Sequence, residues 1–199
     1  MKKIRIQHST AYQYSEPVTL LAHKLMLRPR DGHDIKVVSS SLIINPRNIV
    51  KWHRDIYGNS VAIVTFGTPA TEMSIVSDVV VSHYEAAPLD FLVDDKALMF
   101  PFYFEPSERL DLIPYQTLCF PSDSETISQW LEQFWRPGQT IETYALLKNI
   151  NKEIVQNFAY RMREEPGVQR PAETLESRSG SCRDFATLFI DACRYFGLA

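Results

Sequence analysis

The sequence predicts an α+β chain: an N-terminal antiparallel β-sandwich followed by a helical unit. Three observations predict it. Apolar residues alternate with period two through the first eighty-odd positions, prolines at 88, 101, 106, 114 and 121 then break the pattern, and beyond Pro121 apolar residues recur with helical spacing. The predicted parts are a sandwich over 1–88, a proline-rich connector over 89–121 and a helical part over 122–199.

In "IRIQHSTAYQY", Ile4, Ile6, Tyr12 and Tyr14 share one face with His8, while Arg5, Gln7, Ser9 and Gln13 take the other, the signature of a half-buried strand. "LLAHKLML" repeats the alternation with Leu21, His23, Leu25 and Leu27 before Pro29 and Gly32 supply a turn. "IKVVSSSLIINP" and "SVAIVTFG" are rich in β-branched residues, and "MSIVSDVVVSHYE" sets Met73, Ile75, Val79 and Val81 on one side. Short strands with no helical pattern between them point to a sandwich. The connector loses backbone donors at its prolines, which excludes long regular elements, but "FLVDDKALMFPFYFEP" is too aromatic to lie in water and is expected to pack at the domain junction.

Ser124 reads as an N-cap, with Glu125 in the first turn and Ile127, Trp130, Leu131 and Phe134 at i, i+3, i+4 and i+7; Pro137-Gly138 ends that helix. A second helix is predicted from near Thr140 to Tyr160, with Leu147, Ile150, Ile154 and Phe158 on one face. Residues 161–180 read as charged loop with one helical turn at "AETLESR".

Composition excludes several classes. Of 199 residues, 45% are hydrophobic and 23% charged, the formal net charge is -3, and no Lys/Arg run exceeds two, so neither nucleic acid nor an anionic membrane has an electrostatic footprint. "MKKIRIQHSTAYQY" has no apolar core of a signal peptide, and no segment has the length of apolar residues that a spanning helix needs, so a soluble, untargeted chain is expected. Cys119, Cys182 and Cys193 are too few and scattered for a disulfide framework, which fits a reducing, cytoplasmic setting. Neither H-x-H, H-E-x-x-H nor paired cysteines occurs, so no metal site is expected.

The chemistry concentrates in "RSGSCRDFATLFIDACRYFGLA". Ser181 and Asp184 form an S-x-x-D variant of the capping box, placing Cys182 in the first turn of a helix. Phe185, Leu188, Phe189, Ala192, Cys193 and Phe196 make its apolar stripe, and Gly197 suits its left-handed terminus. Unpaired N–H groups and the positive end of the dipole favour a thiolate there and could hold an oxyanion. Gly180 and Ser181, both small, would leave room for substrate. Cysteines on helix faces are more often core residues, and that reading is taken for Cys193 and, by its apolar neighbours Leu118 and Phe120, for Cys119. For Cys182 spacing alone leaves both readings open. Arg183 reads as a surface charge and Asp184 as a dipole-favoured acid; with Ser181 they are supporting residues around the cysteine.

"GSCRDFATLFIDACRYFGLA" closely resembles the nucleophile segment of bacterial transglutaminase-like, papain-like cysteine enzymes, and "PAETLESRSGSCRDFA" resembles the usual approach to it. "HSTAYQYSEPV", "LRPRDG" and "DIYGN" resemble the β-sandwich domain that precedes that core in bacterial members. The resemblance implies that the helical part is the front half of a papain-like core. It further implies a Cys-His-Asp triad that transfers the acyl group of an amide through a thioester to water or an amine, with Cys182 matching the nucleophile. The implied histidine and aspartate would follow the cysteine helix, and the sequence reaches Ala199 before either, so the chain as it stands is expected to be inactive. Its histidines, His8, His23, His33, His53 and His83, all lie in the predicted sandwich and read as strand-face or loop residues, His8 with a structural hydrogen bond.

The leading expectation is therefore a cysteine protease, amidase or transglutaminase acting on a peptide or protein substrate through Cys182, with no cofactor. The alternative is a non-catalytic binding or scaffold protein that uses the sandwich. Without a covering sheet, Phe185, Phe189 and Phe196 are expected to stay partly uncovered and to promote self-association; the oligomeric state is left open.

Overall fold

The computed structural model describes residues 1–85 and 92–199, which fall into two compact units, Met1–Phe91 and Leu92–Ala199. The boundary expected at 88/89, with Pro88, lies outside the described residues.

The first unit has six strands: β1 (Lys2–Val18), β2 (His23–Arg28), β3 (Ile35–Asn45), β4 (Asn48–Arg54), β5 (Ser60–Phe66) and β6 (Ala70–His83). They form two antiparallel three-stranded sheets, ordered β1-β6-β3 and β2-β5-β4. Leu20, Ile44, Met73 and Ile75 pack with Val64, Leu25 and Val50, so one core joins both sheets as the alternation requires. The register Ile4↔Val81, Ile6↔Val79 and Tyr12↔Met73 puts the predicted apolar faces of β1 and β6 together. Two expectations need correction. Ile4 and Ile6 stay exposed because β1 is an edge strand, and the strands of the second sheet, six or seven residues each, are too short to cover the long first sheet. Leu20 is buried and Leu21 exposed, since the stretch before β2 is not extended strand and does not obey period two.

In the second unit β7 (Met99–Phe100) pairs antiparallel with β8 (Ile141–Glu142), distant in the chain, and the described part of the connector belongs to this unit. The connector is less irregular than its prolines suggest: α1 (Arg109–Gln116) forms with Pro114 inside it, at the cost of one backbone hydrogen bond, and buries no residue. The helix α2 (Ser124–Leu131) is entered through a 3₁₀ turn at Pro121–Asp123, so Asp123 and not Ser124 occupies the N-cap position. α3 (Thr143–Asn157) buries Ile150 and Ile154 on the expected face, with Leu147 half-buried against the core and Leu146 fully buried beside it. β9 (Ala159–Tyr160) pairs in parallel with β10 (Ser179–Gly180), and α4 (Pro171–Ser177) fills what read as a single turn.

The cysteine helix α5 (Cys182–Tyr195) is the hub, packing on α1, α2, α3 and α4. Ile127, Trp130 and Leu131 from α2, Leu146, Ile150 and Ile154 from α3, Leu175 from α4, and Leu188 and Ala192 from α5 form one core with Phe100, Phe158 and Leu198. Gly197 adopts φ 75°, and the bonds Gly197 N–H to Arg194 O (2.9 Å) and Leu198 N–H to Cys193 O (3.0 Å) close α5 as a Schellman motif. Phe185, Phe189 and Phe196 are half-buried, as expected of a stripe only partly covered.

Candidate active site

The approach to the cysteine is built by strand pairing. Ala159 N–H donates to Arg178 O and Arg161 N–H to Gly180 O, both at 2.8 Å, which docks the run after α3 beside the turn before α5. Arg178 turns the chain out of α4 in the left-handed region, φ 49°, and lays its guanidinium 4.9 Å from the Phe158 ring centroid while bonding Glu153 at 3.3 Å. Gly180 is required by close approach. A Cβ there would meet Asp184 Cβ at 3.0 Å and Phe185 Cε1 at 3.3 Å. Gly180 and Ser181 are both buried, so the small residues serve packing, while Gly180 also borders a polar cleft with Arg163 and Ser179.

Cys182 follows as the first residue of α5 and is exposed. It lies at the edge of an apolar groove of about 420 Å³ with Ile154, Val155, Phe158, Tyr160 and Phe185. Its own N–H and that of Arg183 belong to the first turn, where no residue of the helix can accept them.

Asp184 is far more than a favourable helix-dipole charge. Its side chain has no solvent exposure, and its two oxygens accept four hydrogen bonds. Oδ2 receives Ser181 N–H (2.8 Å) and the Ser181 hydroxyl (2.7 Å), completing the predicted capping interaction. Oδ1 receives Gln169 N–H (2.7 Å) and Arg163 Nη1 (2.9 Å). Burial alone would raise the carboxyl pKa, but these donors, led by the N–H groups of Gln169 and Ser181, outweigh it and hold the group well below the usual carboxylate range. Arg183 is exposed as expected, yet not idle: its Nη2 donates to Glu165 O at 2.6 Å, tying the same loop to the cysteine turn.

Two further buried aspartates repeat the device. Asp191 accepts the N–H groups of Cys119 (2.7 Å) and Phe120 (3.0 Å), and Asp123 takes Ala172 N–H at 3.1 Å and pairs with Arg170. Arg163, Gln169, Asp123 and Asp191 were not singled out from sequence. For Asp191 a signal existed: with Asp184 and Leu188 it follows the i, i+4, i+7 spacing of the buried face.

The other cysteines divide. Cys193 is half-buried in the stripe, as predicted, and burial pushes its thiol up to about 11. Cys119 is exposed, correcting the packing assignment, because Asp191 draws its backbone inward and turns the side chain toward Arg194, whose Nη1 donates to Sγ at 3.0 Å. Partial burial and then Asp191 raise its pKa, against the opposing pull of Arg194. Residues 92–199 contain no histidine, so no described group of the second unit offers Cys182 an imidazole. His8 accepts or donates a 2.9 Å hydrogen bond with Thr10 inside the sandwich unit. Among the described residues no group of His, Cys, Asp or Glu could hold a metal ion, and no helix is long and apolar enough to cross a membrane.

Comparison with known proteins agrees with this anatomy. Residues 4–82 match the bacterial transglutaminase-like N-terminal region, and residues 131–199 match the transglutaminase-like superfamily. Uncharacterized proteins of Mycobacterium bovis and of two strains of Mycobacterium tuberculosis are 26% identical over 99% of this chain, which spans 63% of their length. A solved structure from Cytophaga hutchinsonii, described as a "Putative Cysteine Protease", shares the fold with a TM-score of 0.69 at 19% identity, over 98% of this chain and 64% of that one. The sandwich unit thus carries the match to the bacterial transglutaminase-like N-terminal region, and the helical unit carries the match to the transglutaminase-like superfamily, within which Cys182 lies.

Proposed function

We propose that this protein is a cysteine-dependent acyl-transfer enzyme acting on amide bonds of a peptide or protein, with Cys182 as its nucleophile. The observation that carries the reading is an exposed thiol on the first residue of a capped helix, inside the superfamily-matched segment. In the proposed reaction Cys182 Sγ attacks the amide carbonyl carbon. The S–C bond forms, the C–N bond breaks, and the amine leaves with a proton. Water or a second amine then takes the acyl group from the thioester and returns the thiol. The N–H groups of Cys182 and Arg183 are suited to hold the oxyanion of the intermediate. Residues 92–199 hold no histidine, so an imidazole that carries the proton would come from outside them.

The test is turnover of a model peptide amide by the full-length natural protein and its Cys182→Ala variant. Loss of at least about a hundredfold is expected of a missing nucleophile. Equal turnover would remove Cys182 from the chemistry and leave the sandwich-based binding protein as the standing reading.

A further inference from the structure

The helix cap that presents Cys182 brings a difficulty with it. The acid at position 184 shares the first turn of α5 with the thiol two residues before it, on a different face of the helix, and its side chain has no contact with water. An isolated buried carboxylate so placed would oppose the anionic sulfur that reacts.

We propose that Arg163 is a positioning residue for Cys182: it neutralises the Asp184 carboxylate, so that the cap can be kept without its charge suppressing the nucleophile. The proposal rests on the reading of Cys182 as nucleophile. Arg163 reaches the site because the β9–β10 pairing and the Arg161 N–H to Gly180 O bond register the loop after Tyr160 against the turn before α5. Its side chain is 16% exposed, bonds Asp184 Oδ1 at 2.9 Å, and holds Glu165 Oε2 at 3.5 Å with Nε. Among the described residues it is the cation paired with Asp184. The remaining charges near the turn are disposed differently. Arg183 donates to the carbonyls of Glu165 and Arg163, Glu165 is 70% exposed, and Arg161 and Glu164 line a polar cleft with Arg163. The groove beside Cys182 is lined by no charged residue, Tyr160 being its titratable neighbour.

A charge role and a structural role predict opposite results when both partners are removed. Alkylation of Cys182 by iodoacetamide at pH 7, quantified by peptide mass mapping, reads the reactive form directly. Arg163→Met should slow it about five- to tenfold, the order expected when the buried carboxylate of the same helical turn loses its counter-charge. Arg163→Lys should stay within about twofold of the parent. Asp184→Asn, which leaves the cation uncompensated, should speed it, and the double variant Arg163→Met with Asp184→Asn should return to within about twofold of the parent. If Arg163→Met does not fold by circular dichroism, the lysine, asparagine and double variants still decide. A double variant slower than the parent by fivefold or more, or an Asp184→Asn variant slower than the parent, overturns the proposal. Failure of the underlying reading looks different: Cys182 of the parent would then alkylate no faster than exposed Cys119, and both ideas would fall together.

Discussion

Replacing Asp184 with alanine should be the most damaging single substitution at the cysteine turn. The variant deletes the acceptor of four hydrogen bonds, leaving Ser181 N–H, Gln169 N–H and a largely buried Arg163 guanidinium without it. An unsatisfied buried donor costs about 1–3 kcal/mol, and breaking a buried ion pair from one side about 3–5 kcal/mol. These terms overlap, because water entering the space left by the carboxylate re-solvates some of the donors, so a net loss of about 3–5 kcal/mol is expected rather than their sum. For a unit of this size each kcal/mol lowers Tm by about 4–8 °C, so thermal unfolding followed by circular dichroism should show a drop of about 12 °C or more. The pH dependence supplies a second check. The folded carboxyl is depressed, so its stabilisation is fully present above the unfolded value of about 3.9 and is lost as pH falls through the lower folded value. The gap between parent and variant should therefore be constant from pH 7 to about pH 5 and narrow below that. A loss under about 1 kcal/mol, or a gap that closes on going from pH 5 to pH 7, would refute the argument.

Three other expectations follow from the same geometry. Gly180→Ala should cost about 1–3 kcal/mol in urea unfolding, since the new methyl meets Asp184 Cβ at 3.0 Å and neither neighbour is a free side-chain end; a neutral effect would mean the turn relaxes. Asp191→Ala should destabilise by about 2 kcal/mol by freeing the N–H groups of Cys119 and Phe120, and should raise hydrogen exchange at those two amides above all others. Cys193, with its thiol pushed up to about 11, should resist iodoacetamide at pH 7.5 in the folded protein and react on unfolding; rapid labelling in the folded state would contradict its burial.

What the sequence revealed, and what it hid, follows from which interactions are local. Period two in β6 and period 3.6 in α5 depend on neighbours in the chain, and both elements formed with their predicted faces inward: Met73, Ile75, Val79 and Val81 in one, Leu188 and Ala192 in the other. The capping pair Ser181 and Asp184 is three residues apart and was equally legible. Arg163 and Gln169 reach Asp184 across 21 and 15 residues, and Asp191 grips a backbone 72 residues away. No spacing rule announces such partners. Asp184 reads from sequence as a dipole-favoured acid because burial of a carboxylate depends on donors that only the tertiary fold supplies. The exposure of Ile4 and Ile6 was hidden for a related reason, since alternation tells which face of a strand is apolar but not whether a second sheet is long enough to cover it.

The central claim is that Cys182 carries the acyl group. Brief incubation of the full-length protein with an activated peptide ester, acid quenching and peptide mass mapping would test it most directly. The account predicts an acyl mass increment on the peptide containing Cys182, absent from Cys182→Ala and retained in Cys119→Ser and Cys193→Ala. An increment on another residue, or undiminished turnover with none on Cys182, would contradict it.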